Sequence, residues 1–257
     1  METTPMPVLF VGHGSPMNAI EDNEFSQGWE AEVKVLPKPR AILCVSAHWE
    51  TMGSAVTAMP KPRTIHDFGG FPRRLFEMEY PAPGAPELAL RVSSLVKLTR
   101  VKADQAWGLD HGTWSVLCRM YPQADIPVVQ LSIDRSRDAA FNYQLGQELG
   151  ELRREGVLIV GSGNIVHNLR VMVFEDAAFD WAVEYDAKVK QWILDGDHAS
   201  IIHYEKHGQA AALSVNSAEH YLPLLYVLGL QEKGESVSFF NEKVWGGSLS
   251  MRCVKIG

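Results

Sequence analysis

Cysteine is scarce in this chain: there are only three in 257 residues, and they stand far apart at Cys44, Cys118 and Cys253. An odd number of cysteines among apolar neighbours is typical of reduced thiols that pack as small hydrophobic side chains. A chain of this length also buries enough surface on folding to be stable without cross-links. We therefore expect no disulfides, and a disulfide-stabilised secreted scaffold is excluded.

The sequence also lacks a basic block and a long apolar run. It has 24 Lys and Arg against 31 Asp and Glu, and this formal net charge of −7 repels polyanions. Its longest apolar stretch, residues 221–230, is about half of the roughly 20 residues that a membrane-spanning helix needs. The N-terminus has no basic region ahead of its short apolar run. We therefore expect no nucleic-acid partner, no membrane segment and a cytoplasmic location.

Internal repeats, heptads and low-complexity tracts are missing as well, which excludes solenoids and coiled coils. Apolar runs typical of buried strands alternate along the chain with segments of helical periodicity. The predicted strands are residues 8–11, 41–45, 128–133 and 157–160, the predicted helices are residues 87–98, 139–154 and 181–194, and residues 236–240 and 248–255 are predicted to form an antiparallel pair. With no break in composition, we expect a single α/β domain over residues 1–257. It would have a central mixed, mostly parallel sheet flanked by helices on both faces.

Residues 60–86, here called the proline-rich segment, differ from the rest because they hold six of the fourteen prolines. We expect no regular structure in them. Ordered loops of this length usually cover a functional site, and the alternative is a proline-stiffened surface loop. The side chains in it that could line a site are His66, Asp67, Phe68, Phe71, Arg73 and Arg74.

Three of the nine histidines follow predicted strands. His13 comes directly after the first strand, His48 after the second, and His167 after the fourth through a glycine turn. Because ligands of open α/β sheets bind beyond the carboxyl ends of the strands, these side chains can converge although they are far apart in sequence. His220, in the predicted first turn of a helix, is a fourth candidate.

Converging imidazoles indicate a divalent metal, because the neutral ring nitrogen binds zinc and non-haem iron. Taken singly, each of these histidines is more often a hydrogen-bonded structural residue. His111 lies in a turn between two predicted elements, where a histidine acts as a general acid or base or simply begins a helix. Residue spacing therefore leaves a metal site and structural roles both open.

The same histidines lie within motifs that resemble those of one known family. The motifs are GHGSPM at residues 12–17, SAHW at 46–49, TIHDFGGFP at 64–72, YPAPG at 80–84, LDHG at 109–112, SGNIVHNL at 162–169, EHYLPLLY at 219–226 and GSLSM at 247–251. Together they run over nearly the whole chain. They are similar to those of the class III extradiol ring-cleavage dioxygenases, the protocatechuate 4,5-dioxygenase type, and within that type to the bacterial and plant 4,5-DOPA extradiol dioxygenases.

This resemblance implies one divalent metal per chain, bound by His13, His48 and His220. It implies that His167 is a base beside the metal or a fourth ligand, and that His111 is an acid near the substrate. Other members of the class complete the site with a glutamate where this chain has His220. An all-nitrogen site suits Zn(II) as bound species at least as well as the Fe(II) that ring cleavage requires.

The reaction implied is insertion of O2 into a catechol ring beside the diol, such as 4,5-cleavage of L-DOPA to a ring-opened semialdehyde. The partners would be a small catechol and O2, and the protein a monomer or a small homo-oligomer. The residues expected to contact the substrate are Trp49, His66, Phe68, Phe71 and Tyr221 around its ring, and Arg73 or Arg74 at a carboxylate. A zinc-dependent hydrolase and a non-catalytic metal-binding protein on the same scaffold are the alternatives.

Overall fold

Strands and helices alternate along residues 4–257, the part of the chain that this computed structural model describes. The strands are β1 (Val8–Gly12), β2 (Ala41–Thr51), β3 (Ser54–Thr57), β4 (Val101–Asp104), β5 (Val128–Asp134), β6 (Val157–Gly163), β7 (Val237–Phe240), β8 (Val244–Trp245), β9 (Leu249–Ser250) and β10 (Cys253–Ile256). The α-helices are α1 (Glu24–Lys34), α2 (Arg73–Phe76), α3 (Pro86–Leu95), α4 (His111–Met120), α5 (Ala139–Glu148), α6 (Glu151–Arg154), α7 (Asp180–Asp195), α8 (His198–Ile202), α9 (Gly208–Ser214) and α10 (Leu222–Gly229). Two 3₁₀ turns lie at Pro16–Ala19 and Tyr204–Lys206.

Eight of these strands form one sheet in the order β4-β3-β5-β2-β6-β1-β10-β7. The central strands β5, β2, β6 and β1 are parallel to one another. Strand β3 is antiparallel to β5, and β10 is antiparallel to both of its neighbours. Strands β8 and β9 form a separate two-stranded ribbon. The predicted mixed, mostly parallel sheet is confirmed.

The sheet separates two hydrophobic cores. In β1, Val8 and Phe10 belong to one core, whereas Leu9 and Val11 belong to the other. Helices α3, α5, α7 and α10 pack in the first core, and α1 and α4 pack in the second. Because helices cover both faces, side chains on both sides of the central strands are buried, which explains their continuous apolar sequences. Among residues 4–257, no helix has the length and apolarity needed to cross a membrane.

Several element boundaries differ from those that the sequence predicts. The helix expected over residues 139–154 is interrupted at Leu149 and Gly150, where the backbone hydrogen bonds become the shorter i→i+3 type. The helix expected to reach residue 98 ends at Leu95, because Val96 takes an extended conformation. The strand expected over residues 248–255 is divided into β9 and β10.

The proline-rich segment was also expected to be free of regular structure, and this is wrong in part. It contains one helical turn, α2, which follows Pro72. Proline is tolerated at the start of a helix because the first N–H groups of a helix have no partner within it. The rest of the segment before α3 is irregular, apart from an isolated bridge between Thr64 and Leu109.

Two glycines of β6 allow the chain around α10 to approach the sheet closely. A Cβ atom on Gly163 would lie 2.1 Å from the carbonyl oxygen of His220, and one on Gly161 would lie 2.5 Å from that of Pro223. No side chain fits at such distances from a backbone atom. The N–H of Asn164 donates to the same His220 carbonyl at 2.8 Å. Strand β6 therefore determines directly where His220 lies.

We expect Gly163→Ala to lower the free energy of unfolding by about 1–3 kcal/mol or more, because the added methyl group must displace the backbone of His220. Chemical denaturation of the variant and the parent protein measures this difference. The matched control is Gly150→Ala, whose Cβ would make an ordinary 3.5 Å contact with the Gln147 carbonyl. The control should be unchanged or more stable by up to about 1 kcal/mol. Equal stability of the two variants would show that β6 does not constrain His220.

Candidate metal centre

Five histidines converge at the carboxyl edge of the parallel strands, and we call them the histidine cluster. His13 follows β1, His48 lies near the end of β2, His111 begins α4, His167 follows β6, and His220 lies in the turn before α10. Their neighbouring rings have centroids 3.4 to 5.7 Å apart. The convergence expected from the strand ends is therefore present, although β2 extends past His48 and α10 begins after His220.

Three members of the cluster present ring nitrogens to one another. His13, His48 and His220 each offer one nitrogen, and these three atoms all lie within 4.8 Å of one another. The Nε2 atoms of His13 and His48 are 3.1 Å apart. His13 and His220 are buried, and the side chain of His48 is 19% exposed, so solvent reaches this group at His48.

A hydroxyl group determines which nitrogen of His13 carries the proton. The Ser162 hydroxyl donates to the carbonyl oxygen of Gly112 at 2.5 Å. Because a hydroxyl has a single hydrogen, its contact of 3.0 Å with Nδ1 of His13 must be one in which the imidazole donates. Nε2 of His13 is then unprotonated where it faces His48.

Carboxylates have the same effect on the other two rings. Oε1 of Glu219 lies 3.0 Å from Nδ1 of His220, and Oδ2 of Asp67 lies 3.5 Å from Nδ1 of His48. An ionised carboxylate only accepts hydrogen bonds, so the contact with Glu219 places the proton of His220 on Nδ1 and leaves the lone pair on Nε2. The Asp67 charge favours the same tautomer of His48, although 3.5 Å is too long for a strong hydrogen bond. Metal-binding histidines commonly donate their second ring N–H to a carboxylate in this way.

The surroundings keep these three rings neutral. Burial, together with the nearby His111, lowers the pKa of His48 to about 3. Burial is also the main cause that holds the pKa values of His13 and His220 well below the ordinary value, and the neighbouring histidines add to it. Neutral rings whose lone pairs face each other at 3.1 Å repel unless a cation or a proton lies between them. The three residues therefore fit a divalent metal, which binds imidazole in its neutral form.

His167 lies beside this group. Its ring stacks on that of His220, with centroids 3.4 Å apart and planes inclined by 6°. One ring nitrogen of His167 lies within 4.8 Å of possible metal-binding atoms of Glu219 and His220. It does not belong to the group formed by His13, His48 and His220. Burial lowers the pKa of His167 to about 4, so its ring is unprotonated at neutral pH and can accept a proton.

His111 lies on the opposite side of the cluster, with its ring centroid 3.8 Å from that of His48. Its position is determined by the start of α4, where the Asp110 carboxylate accepts from the Thr113 N–H and from the Ser46 hydroxyl. Nδ1 of His111 lies 3.0 Å from Oδ2 of Asp67. Burial alone would raise the pKa of Asp67, but its hydrogen bonds with His111 and the charge of that ring lower the pKa below its ordinary value.

The proline-rich segment supplies aromatic side chains next to His111. Phe68 meets the His111 ring edge-on at 5.5 Å, and Phe71 meets Phe68 edge-on at 5.4 Å. His66 lies further back, where Nε2 bonds the Met78 carbonyl oxygen at 2.9 Å. Of the residues expected around a substrate ring, Phe71 and His66 therefore lie in an aromatic group that reaches the cluster through Phe68.

Two other expected substrate contacts are placed elsewhere. Trp49 is the strand neighbour of His48, so the two side chains point to opposite faces of β2, and its ring stacks on Trp107 at 5.7 Å. Tyr221 is buried, and its hydroxyl donates to the Ile201 carbonyl at 3.2 Å. These contacts hold Trp49 and Tyr221 away from the cluster.

The two arginines expected at a substrate carboxylate lie on the surface, in α2. Arg73 is 91% exposed in its side chain and pairs with Glu77 at 2.6 Å, and Arg74 is also exposed. Of the residues that contact the cluster, the sequence indicated Asp67 as one of six side chains that could line a site, but it did not indicate Ser162 or Glu219. The available signal was their position inside the histidine-containing motifs.

Comparison with known proteins shows the family to which this chain is similar. Residues 4–246 match the family described as the catalytic LigB subunit of aromatic ring-opening dioxygenase. The chain is 48% identical to the 4,5-DOPA dioxygenase extradiol of Escherichia coli K12, over 100% of this chain and 97% of that protein. It is 37% identical to the 4,5-DOPA dioxygenase extradiol of Beta vulgaris, over 94% and 93%. A crystal structure of an uncharacterized Escherichia coli K12 protein matches with a TM-score of 0.86 and 44% identity, over 98% of this chain and 100% of that one.

The chain belongs to the family of aromatic ring-opening dioxygenases. It is therefore a metal-dependent oxidoreductase, and its histidine cluster offers a possible metal site. The resemblance expected from the sequence motifs, the α/β fold and the ring-cleaving reaction class are confirmed.

We expect Ser162→Ala to weaken the binding of a divalent metal about 10- to 100-fold, because the tautomer and orientation of His13 are no longer determined. Competition with a chelator of known affinity measures this for Zn(II). The control is Ser94→Ala, which removes an exposed hydroxyl that bonds the Arg91 carbonyl in α3. Metal affinity equal to that of the parent protein in Ser162→Ala would contradict the assigned role of the hydroxyl.

Proposed function

We propose that this enzyme cleaves the ring of a catechol such as L-DOPA next to the diol, with O2 as co-substrate and Fe(II) held by His13, His48 and His220. The observation that carries the proposal is the set of three neutral imidazoles with unprotonated, facing nitrogens at the carboxyl edge of the sheet. The relatives named 4,5-DOPA dioxygenase extradiol support the choice of substrate class.

The three histidines would hold the metal through their Nε2 atoms, since each Nδ1 faces an acceptor. When bound, Fe(II) supplies open coordination positions for the catechol oxygens and O2, and a path for electrons between them. An all-nitrogen set also binds Zn(II), which has no redox chemistry and would occupy the same position without supporting ring cleavage.

His167 is the proposed base of the reaction. It accepts the second phenolic proton of the catechol at a ring nitrogen. Its burial keeps the ring unprotonated at neutral pH and therefore in the form that accepts a proton. Its stacking on His220 fixes the plane of the ring beside the three-histidine group.

His111 is the proposed acid, on the other side of the cluster. It donates a proton as the O–O bond breaks and the carbon–carbon bond beside the diol opens, so that both oxygen atoms enter the ring-opened semialdehyde. The edge-on contact of Phe68 with His111 supports a substrate ring bound here, because it brings an aromatic side chain next to the proposed acid. We assign packing of the catechol to Phe68 and Phe71.

The cytoplasmic location and the monomeric or small oligomeric state inferred from the sequence stay predictions. So does the extent of the domain over residues 1–257.

The test is reconstitution of the metal-free protein with Fe(II) under anaerobic conditions and, in parallel, with Zn(II). We expect oxygen uptake and a yellow ring-opened product from L-DOPA only in the iron sample, because zinc cannot pass electrons to oxygen. An oxygen electrode and the absorbance of the product give the two readings. Absence of uptake with L-DOPA and with other catechols in the iron-loaded protein would refute the proposal.

Two variants at histidines complete the experiment. His167→Gln should bind metal normally and lose about 10²- to 10⁴-fold in kcat, the usual contribution of a general base. His198→Gln changes a histidine whose Nδ1 contacts the Tyr143 hydroxyl, outside the cluster, and should leave kcat unchanged. Equal activity of the two variants would contradict the role given to His167.

A further inference from the structure

Asp67 contacts two members of the histidine cluster with one carboxylate. Its Oδ1 accepts the backbone N–H of His111 at 2.9 Å. Its Oδ2 lies 3.0 Å from Nδ1 of His111 and 3.5 Å from Nδ1 of His48. One side chain therefore lies next to both the proposed acid and a proposed metal ligand.

The ionised carboxylate of Asp67 favours hydrogen on the ring nitrogens that face it. Because an ionised carboxylate has no proton to donate, its charge 3.0 Å from Nδ1 of His111 and 3.5 Å from Nδ1 of His48 favours hydrogen on both of these atoms. For His48 this leaves the Nε2 lone pair directed at His13, 3.1 Å away. For His111, hydrogen held on Nδ1 beside Asp67 leaves Nε2 as the nitrogen that donates to the substrate. The ring that acts as the acid carries hydrogen on both nitrogens, and the Asp67 carboxylate 3.0 Å away compensates its charge.

The position of Asp67 is itself determined by its flanking residues. On one side, the Ile65 N–H donates to the Leu109 carbonyl at 2.8 Å, and the Trp114 ring N–H donates to the Ile65 carbonyl at 2.8 Å. On the other side, Phe68 packs edge-on against His111. The side chain of Asp67 is only 18% exposed. These contacts join the proline-rich segment to the start of α4 around His111.

We propose that Asp67 is a positioning residue that holds the rings of His111 and His48 in one tautomer and one orientation. The proline-rich segment is then a built part of the active site, because it supplies the carboxylate on which both rings depend. This inference rests on the function proposed above, in which His48 binds the metal and His111 is the acid.

The test compares Asp67→Asn with Asp67→Ala. Asn keeps the size of the side chain and one acceptor oxygen but removes the charge. A role in packing alone would therefore be preserved in Asn and lost in Ala. We expect both variants to lose about 10- to 100-fold in kcat and in affinity for Zn(II), the usual effect of removing the partner of a metal-bound histidine. KM for the catechol should change less than kcat, because Asp67 does not contact the substrate.

A spectroscopic reading is independent of turnover. In the zinc-loaded protein, ¹⁵N chemical shifts of the histidine rings report which ring nitrogen carries the proton. We expect Nδ1 of His111 to carry hydrogen in the parent protein and to be only partly protonated in Asp67→Asn. The matched control is Asp125→Asn, a change of the same kind at an exposed carboxylate that pairs with Lys38 at 2.5 Å. It should resemble the parent protein in every reading.

Parental kcat, metal affinity and ring tautomers in Asp67→Asn would overturn the inference. Loss of kcat and metal affinity in Asp67→Ala with parental values in Asp67→Asn would also overturn it, because that result shows that Asp67 contributes only packing. If the iron-loaded parent protein does not cleave any catechol, the proposed function fails. The zinc affinity and the ¹⁵N spectra still decide whether Asp67 positions the two rings.

Discussion

The site depends on one constraint: three imidazoles must be neutral and must direct unprotonated nitrogens at the same small volume. Each ring meets this constraint because its other nitrogen faces an acceptor. His13 donates to Ser162 and His220 to Glu219, and Nδ1 of His48 lies 3.5 Å from the Asp67 carboxylate. Burial removes the alternative of a protonated ring by lowering all three pKa values. Lone pairs so arranged repel one another, and this repulsion is what a divalent cation would relieve.

The fold meets this constraint with a few backbone features. Parallel strands β1, β2 and β6 end at the same edge of the sheet, so residues far apart in sequence lie side by side there. Gly163 lets the His220 backbone approach β6 closely, and Asp110 places the start of α4 beneath the cluster. The proline-rich segment adds Asp67 next to His48 and His111. The site is thus assembled from strand ends, one helix start and one long irregular segment.

Much of this could be predicted from the sequence, because buried parallel strands are apolar on both faces and a histidine after such a strand stands out. The polar partners of the histidine rings could not be predicted, because Ser162 and Asp67 come next to the rings only when segments distant in sequence meet. Trp49 and Tyr221, which adjoin His48 and His220 in sequence, are among the aromatic side chains expected to pack the substrate ring. Strand alternation turns Trp49 away, and the core encloses Tyr221. The sequence thus predicted which histidines converge at the strand ends, whereas adjacency to a histidine did not predict which other side chains lie near the cluster.

The most direct test of the three-histidine arrangement is X-ray absorption at the metal edge of the protein loaded with one equivalent of Zn(II). We expect three imidazole nitrogens at about 2.0–2.1 Å from the metal, with the remaining position taken by an oxygen ligand. The multiple-scattering signal of three rings should fall to two in a His220→Ala variant. A parent spectrum dominated by carboxylate oxygens, or one that His220→Ala leaves unchanged, would contradict the account.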